Sequence, residues 1–93
     1  MRISEKEREL INTTVHNYDP ESKIFLFGSR VDDNKKGGDI DLLIITRRNS
    51  FLDQLNLKGK LKEKIGDQKI DLLLTDNQES AFVKNIFQGA LVL

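Results

Sequence analysis

The chain has no cysteine and no tryptophan, and only one proline, one tyrosine and one histidine. Without thiols it can hold no disulfide framework, no zinc–thiolate centre and no cysteine nucleophile. An excess of one charge is also missing: fifteen Lys and Arg balance fifteen Asp and Glu, for a formal net charge of zero. Proteins that grip long duplexes carry a basic stripe, because phosphate neutralisation drives that binding. Small-molecule or protein partners are therefore favoured over duplex nucleic acid. No apolar run approaches the ~20 residues needed to span a membrane. The opening Met1-Arg2-Ile3-Ser4-Glu5-Lys6 is too charged for a secretory signal. The expectation is a cytoplasmic protein with no membrane association.

What remains is ordinary globular material, 38% hydrophobic and 32% charged over 93 residues. That length makes residues 1–93 a single domain. A chain so short buries only ~60–65% of its unfolded surface, so burial against a partner would add noticeably to its stability.

Ser4-Glu5-Lys6-Glu7 fits a capping box, and Leu10, Ile11 and Val15 follow at helical spacing, predicting a helix over 4–17. Asp19-Pro20 stops it. Lys23 to Phe27 reads as a short buried strand that turns at Gly28-Ser29. Residues 30–38 are polar and read as a loop. Asp39 to Thr46 predicts a second strand, buried on both faces. Leu52, Leu55, Leu57, Leu61 and Ile65 predict a helix over 51–65, weakened or broken at Gly59 and terminated by Gly66. Lys69 to Thr75 is a third strand. Asn77 is placed to cap a last helix reaching Gln88, with Ala81, Phe82, Ile86 and Phe87 as its apolar side. The order is αββαβα.

Three aspartates interrupt these strands. Side chains alternate faces along a strand, so Asp39 and Asp41 project from one face while Ile40 and Leu42 enter the opposite layer. Asp71 repeats the local pattern, Ile-Asp-Leu-Leu, on the third strand. If that strand lies beside the second, the three acids share a face. Held together they repel unless a cation lies between them. Magnesium suits hard oxygen ligands, and three carboxylates can hold two ions that clamp an in-line displacement. Gly28-Ser29 adds a turn whose glycine permits close approach of a phosphate and whose hydroxyl and amides can donate to it. Arg30 could pair with phosphate through its forked donors. Singly, a Gly-Ser is mostly a turn and an Asp-x-Asp mostly a solvated edge. Their coincidence at positions whose neighbours should be buried favours a site, since an unpaired buried carboxylate costs several kcal/mol.

Phe27-Gly28-Ser29-Arg30, Gly38-Asp39-Ile40-Asp41-Leu42-Leu43-Ile44 and Lys69-Ile70-Asp71-Leu72-Leu73 together resemble the minimal nucleotidyltransferases of the polymerase-β superfamily. The resemblance spans roughly residues 5–90. It implies a small α/β polymerase-β-like core, with a mixed sheet of three or slightly more strands packed by helices. It also implies transfer of a nucleoside monophosphate, AMP from ATP foremost, with two Mg²⁺ ions. Gly28 and Ser29 would then hold the β- and γ-phosphates, with Arg30 beside them. Asp39 and Asp41 would ligate both metals, and Asp71 would ligate the catalytic metal and orient or deprotonate the acceptor hydroxyl. Small standalone members are often paired with a HEPN-type helical protein as antitoxins, and some adenylylate a tyrosine of that partner. The chain departs from the pattern at Val31-Asp32-Asp33, where many members have Ala-Arg-Gly, and its loop is slightly shorter. With no second domain, the acceptor surface would come from another molecule or from a second subunit of a homo-oligomer. A protein-binding antitoxin with little catalysis and a small-molecule nucleotidyltransferase are the alternative readings.

Other residues are read as structural: His16 and Tyr18 at a helix end, the lysines at 58, 60, 62 and 64 as a solvated face, and Phe25, Phe27, Phe82 and Phe87 as core. The apolar Ala90-Leu91-Val92-Leu93 either packs on the sheet or meets a partner.

Overall fold

In a computed structural model, which describes residues 1–34 and 37–93, two reciprocal serine caps start the long helices. Ser4 Oγ accepts from the Glu7 amide at 3.0 Å while the Glu7 carboxylate accepts from the Ser4 amide at 2.8 Å, opening α1 (Glu5–Tyr18). Ser50 and Asp53 do the same for α2 (Phe51–Ile65). The latter helix runs unbroken through Gly59 and ends at Gly66, whose φ of +95° few other residues adopt.

Between and after them come β1 (Lys23–Phe27), β2 (Ile40–Ile45), β3 (Ile70–Thr75), α3 (Ala81–Phe87) and β4 (Leu91–Val92). The expected loop over residues 30–38 includes Lys35 and Lys36, which lie outside the described residues. The four strands form one mixed sheet in the order β3-β2-β1-β4. β1 runs antiparallel to β2 and β4, whereas β2 and β3 are parallel, joined through α2. β4 settles the C-terminal tail: Val92 pairs with Phe25 and Leu91 with Leu26.

β2 is central and buried on both sides, as its continuous apolar run implies. Ile40, Leu42 and Ile44 face α1 and α2 with Ile11, Val15, Leu57 and Leu61; Leu43 and Ile45 face α3 with Val83. Leu42 is 0% exposed at the middle of the larger cluster. Leu42→Ala is expected to lower stability by ~2–5 kcal/mol, read as a fall in the urea midpoint at unchanged slope.

Two helix readings need correction. The last helix begins at Ser80, whose Oγ accepts from the Val83 amide at 3.1 Å, rather than at Asn77. Asn77 instead forms a local turn, its Oδ1 accepting from the Glu79 amide at 3.0 Å. The inward face is then Val83, Ile86 and Phe87, leaving Phe82 at 65% exposure and outside the core. In α2 the stripe Leu57, Leu61, Ile65 faces inward. Leu52 and Leu55 lie roughly 140–160° around the helix from Leu57 and are 69% and 51% exposed. Among the described residues no helix is long and apolar enough to cross a membrane.

Candidate active site

The site begins where β1 ends. Phe27 pairs with Asp41 across the antiparallel ladder, so the next residue emerges beside the Asp41 side chain. Gly28 turns the chain there at φ +76° and starts a 3-10 turn over Gly28–Val31. A methyl group at Gly28 would lie 3.1 Å from Asp41 Cγ and closer still to a carboxylate oxygen. Gly38, at φ +89°, stands in the same relation to Ser29: an added methyl would lie 3.1 Å from its Cβ and would collide with its hydroxyl. Each glycine is thus pressed against a polar side chain of the site.

The parallel register of β2 and β3 places Asp41 directly beside Asp71. Their strand neighbours Ile40, Leu42, Ile70 and Leu72 turn to the opposite face and join the core, so alternation alone puts both acids on the α3 side of the sheet. Burial raises the Asp41 carboxyl above its usual range. The nearby charges of Asp71 and Asp39 and a hydrogen bond with Asp71 raise it further, against a smaller opposing pull from Lys69. Asp39 lies just ahead of β2, where the Ile40 amide donates to the Lys69 carbonyl at 3.0 Å. Its carboxylate pairs with Lys69 Nζ at 3.4 Å. The fold therefore joins Asp41 with Asp71 and holds Asp39 close by, turned to a lysine. Among the described residues no three acidic or histidine side chains already converge as a metal site. In donor chemistry the group fits a hard divalent cation: carboxylate oxygens only, with one carboxyl raised by burial and by the neighbouring acids, whose repulsion a cation would relieve.

Arg30 is placed differently from the sequence expectation. Its Nε donates to the Gly38 carbonyl at 3.1 Å, Nη1 to the Arg2 carbonyl at 2.8 Å and Nη2 to Gln68 Oε1 at 3.0 Å. All its nitrogens are engaged with protein atoms, so it braces the turn rather than extending a fork toward a ligand. Arg2, which the sequence reading passed over, lies against the same turn and donates to the Ser29 and Asp32 carbonyls.

A family model described as Polymerase beta, Nucleotidyltransferase matches residues 9–93. The chain belongs to the polymerase-β nucleotidyltransferase family. No curated protein matches it. Membership makes nucleotidyl transfer the activity class, and the family typically uses nucleoside triphosphates and divalent metals. The small α/β architecture with its mixed four-stranded sheet agrees with a polymerase-β-like core.

Tyr18 and His16 fall outside this candidate site. Tyr18 donates its hydroxyl to Asp53 and carries the Arg48 guanidinium 3.8 Å above its ring. The exposed His16 has Nε2 3.2 Å from the Ser22 carbonyl. A groove of about 870 Å³ between α1 and α2, lined by Glu9, Tyr18, Arg48 and Lys64 among others, includes none of the site carboxylates.

Proposed function

We propose that this nucleotidyltransferase moves AMP from ATP to a hydroxyl on a partner protein, with magnesium, as the antitoxin of a pair whose toxin is a HEPN-type helical protein. The observation that carries the transferase chemistry is the placing of Asp41 and Asp71 side by side next to the Gly28-Ser29 turn. Support for a protein partner is the resemblance to small HEPN-paired members. Three large apolar side chains left exposed along one stretch of α2, Phe51, Leu52 and Leu55, add to it.

In this reading Gly28 and Ser29 bind the β- and γ-phosphates through backbone amides and the Ser29 hydroxyl. Asp41 and Asp71 would hold magnesium, with Asp39 completing the set on releasing Lys69. The ion would supply positive charge to offset the triphosphate and the departing pyrophosphate. Asp71 takes the proton of the acceptor hydroxyl, whose oxygen attacks the α-phosphorus. The bond from that phosphorus to the bridging oxygen breaks, and pyrophosphate leaves with the electron pair.

A second reading, a protein-binding antitoxin with little catalysis, is favoured by one observation: Asp39 is paired with Lys69 instead of converging on the other acids. One experiment separates the two. The chain is incubated with its partner and ATP labelled at the α-phosphate, and growth rescue is scored in parallel. Transfer to the partner, lost with EDTA and with Asp71→Asn together with rescue, supports the enzyme. Rescue that survives Asp71→Asn without any labelling supports binding alone. Label found only on small molecules would remove the protein acceptor.

A further inference from the structure

The 3-10 turn over Gly28–Val31 closes with a single cap bond, from the Asp32 amide to the Ser29 carbonyl at 3.2 Å, and a turn so short leaves its last carbonyls to partners outside it. Arg2 braces that end. Its backbone amide donates to the Arg30 carbonyl at 2.7 Å, its Nε to the Asp32 carbonyl at 2.8 Å and its Nη2 to the Ser29 carbonyl at 2.9 Å. Arg30 returns the bond, donating from Nη1 to the Arg2 carbonyl at 2.8 Å. The two residues therefore hold each other as well as the turn.

From there the network reaches every segment of the site. Arg30 Nε holds the Gly38 carbonyl at 3.1 Å, and Gly38 is the residue packed against the Ser29 hydroxyl. Since the C=O and the next N–H of a trans peptide point opposite ways, drawing the Gly38 carbonyl to Arg30 aims the Asp39 amide away from it. Arg30 Nη2 holds Gln68, just ahead of β3 and Asp71, and Gln68 in turn donates to Glu7 of α1.

We infer that Arg2 and Arg30 are positioning residues: by capping the carbonyl end of the Gly-Ser turn, they fix where its amide end and the Ser29 hydroxyl face a triphosphate. The inference rests on the nucleotide reading above and concerns residues that touch no substrate. Arg2 lies ahead of the residues matched by the family model. Lysine is no substitute at either position, because one ammonium cannot reproduce the planar fork that reaches separate acceptors.

The test uses the full chain with magnesium and compares wild type, Arg2→Lys and Arg30→Lys. Circular dichroism and melting temperature establish that each variant is folded, and calorimetry measures affinity for ATP and for AMP. Loss of triphosphate positioning is expected to weaken ATP binding by about tenfold while changing AMP binding by less than about twofold. In the absence of nucleotide, hydrogen exchange at the Arg2 and Asp32 amides, which donate to the Arg30 and Ser29 carbonyls, is expected to speed up in the variants. ATP affinity within about twofold of wild type in both folded variants overturns the clamp, as does an equal loss for ATP and AMP. A wild-type chain that binds neither nucleotide overturns the functional reading instead. Amide exchange then decides the clamp alone, and unchanged exchange rejects it.

Discussion

Asp41→Asn is expected to abolish nucleotidyl transfer while making the metal-free protein more stable. In the proposed mechanism the loss of activity, on the order of 10³-fold or more, follows from removing the carboxylate that lies between the Gly28-Ser29 turn and Asp71. The gain in stability has the opposite origin. Burial and the charges of Asp71 and Asp39 raise the Asp41 carboxyl in the folded state, so the ionised form opposes folding. A carboxyl raised in this way costs nothing while both states are protonated. It destabilises as pH rises from the ordinary Asp range through the raised folded value. At pH 7 the cost is fully present in the wild type and absent in the amide, which should be ~1 kcal/mol more stable. Urea unfolding in EDTA at pH 7 and at pH 3 checks the sign: the advantage of Asp41→Asn should vanish at the lower pH. Saturating magnesium should narrow it at pH 7, because a ligand of the native state stabilises only the chain that binds it. A variant less stable than wild type at pH 7 in EDTA would contradict the electrostatic account.

Gly28→Ala should damage function more than stability. The backbone at φ +76° penalises any L side chain by ~1–2 kcal/mol. The added methyl meets mainly the end of the Asp41 side chain, which can rotate away. Rotation relieves the clash and moves the carboxylate out of place, and a misplaced catalytic group costs ~10²-fold. The expected result is a modest fall in melting temperature with a fall in kcat/KM of about that size. If activity survives while stability drops, the contact between Gly28 and Asp41 is only packing.

Much of this arrangement could be read from the sequence because its physics is local. Asp39 and Asp41 stand out through two-residue alternation inside an apolar strand, and Asp71 through the repeat of Ile-Asp-Leu. The Ser4 and Gly66 helix signals are likewise written in neighbouring residues. What could not be read depends on contacts between distant segments. Arg2 donates to Ser29 and Asp32 carbonyls, and a backbone carbonyl gives no residue-type signal of its partner. Asn77 and Ser80 are both good caps. The choice fell to Ser80, whose register brings Phe87 edge-on to Phe25 with ring centroids 4.9 Å apart. In α2 the leucines offer two stripes, and tertiary packing selects Leu57 and Leu61 over Leu52 and Leu55. β4 has only two residues, too few to show alternation.

The strand order has a bearing on how the site behaves in time. Asp41 stands on a central strand, but Asp71 stands on β3, the outermost strand beside it, laddered to one neighbour. Edge segments open more readily than central ones, well below the free energy of global unfolding. Each such opening would disperse the acidic pair while Asp41, Gly28 and Ser29 stay in place. Any partner that lies along β3 and lengthens the time Asp71 spends docked would raise turnover without touching the nucleotide.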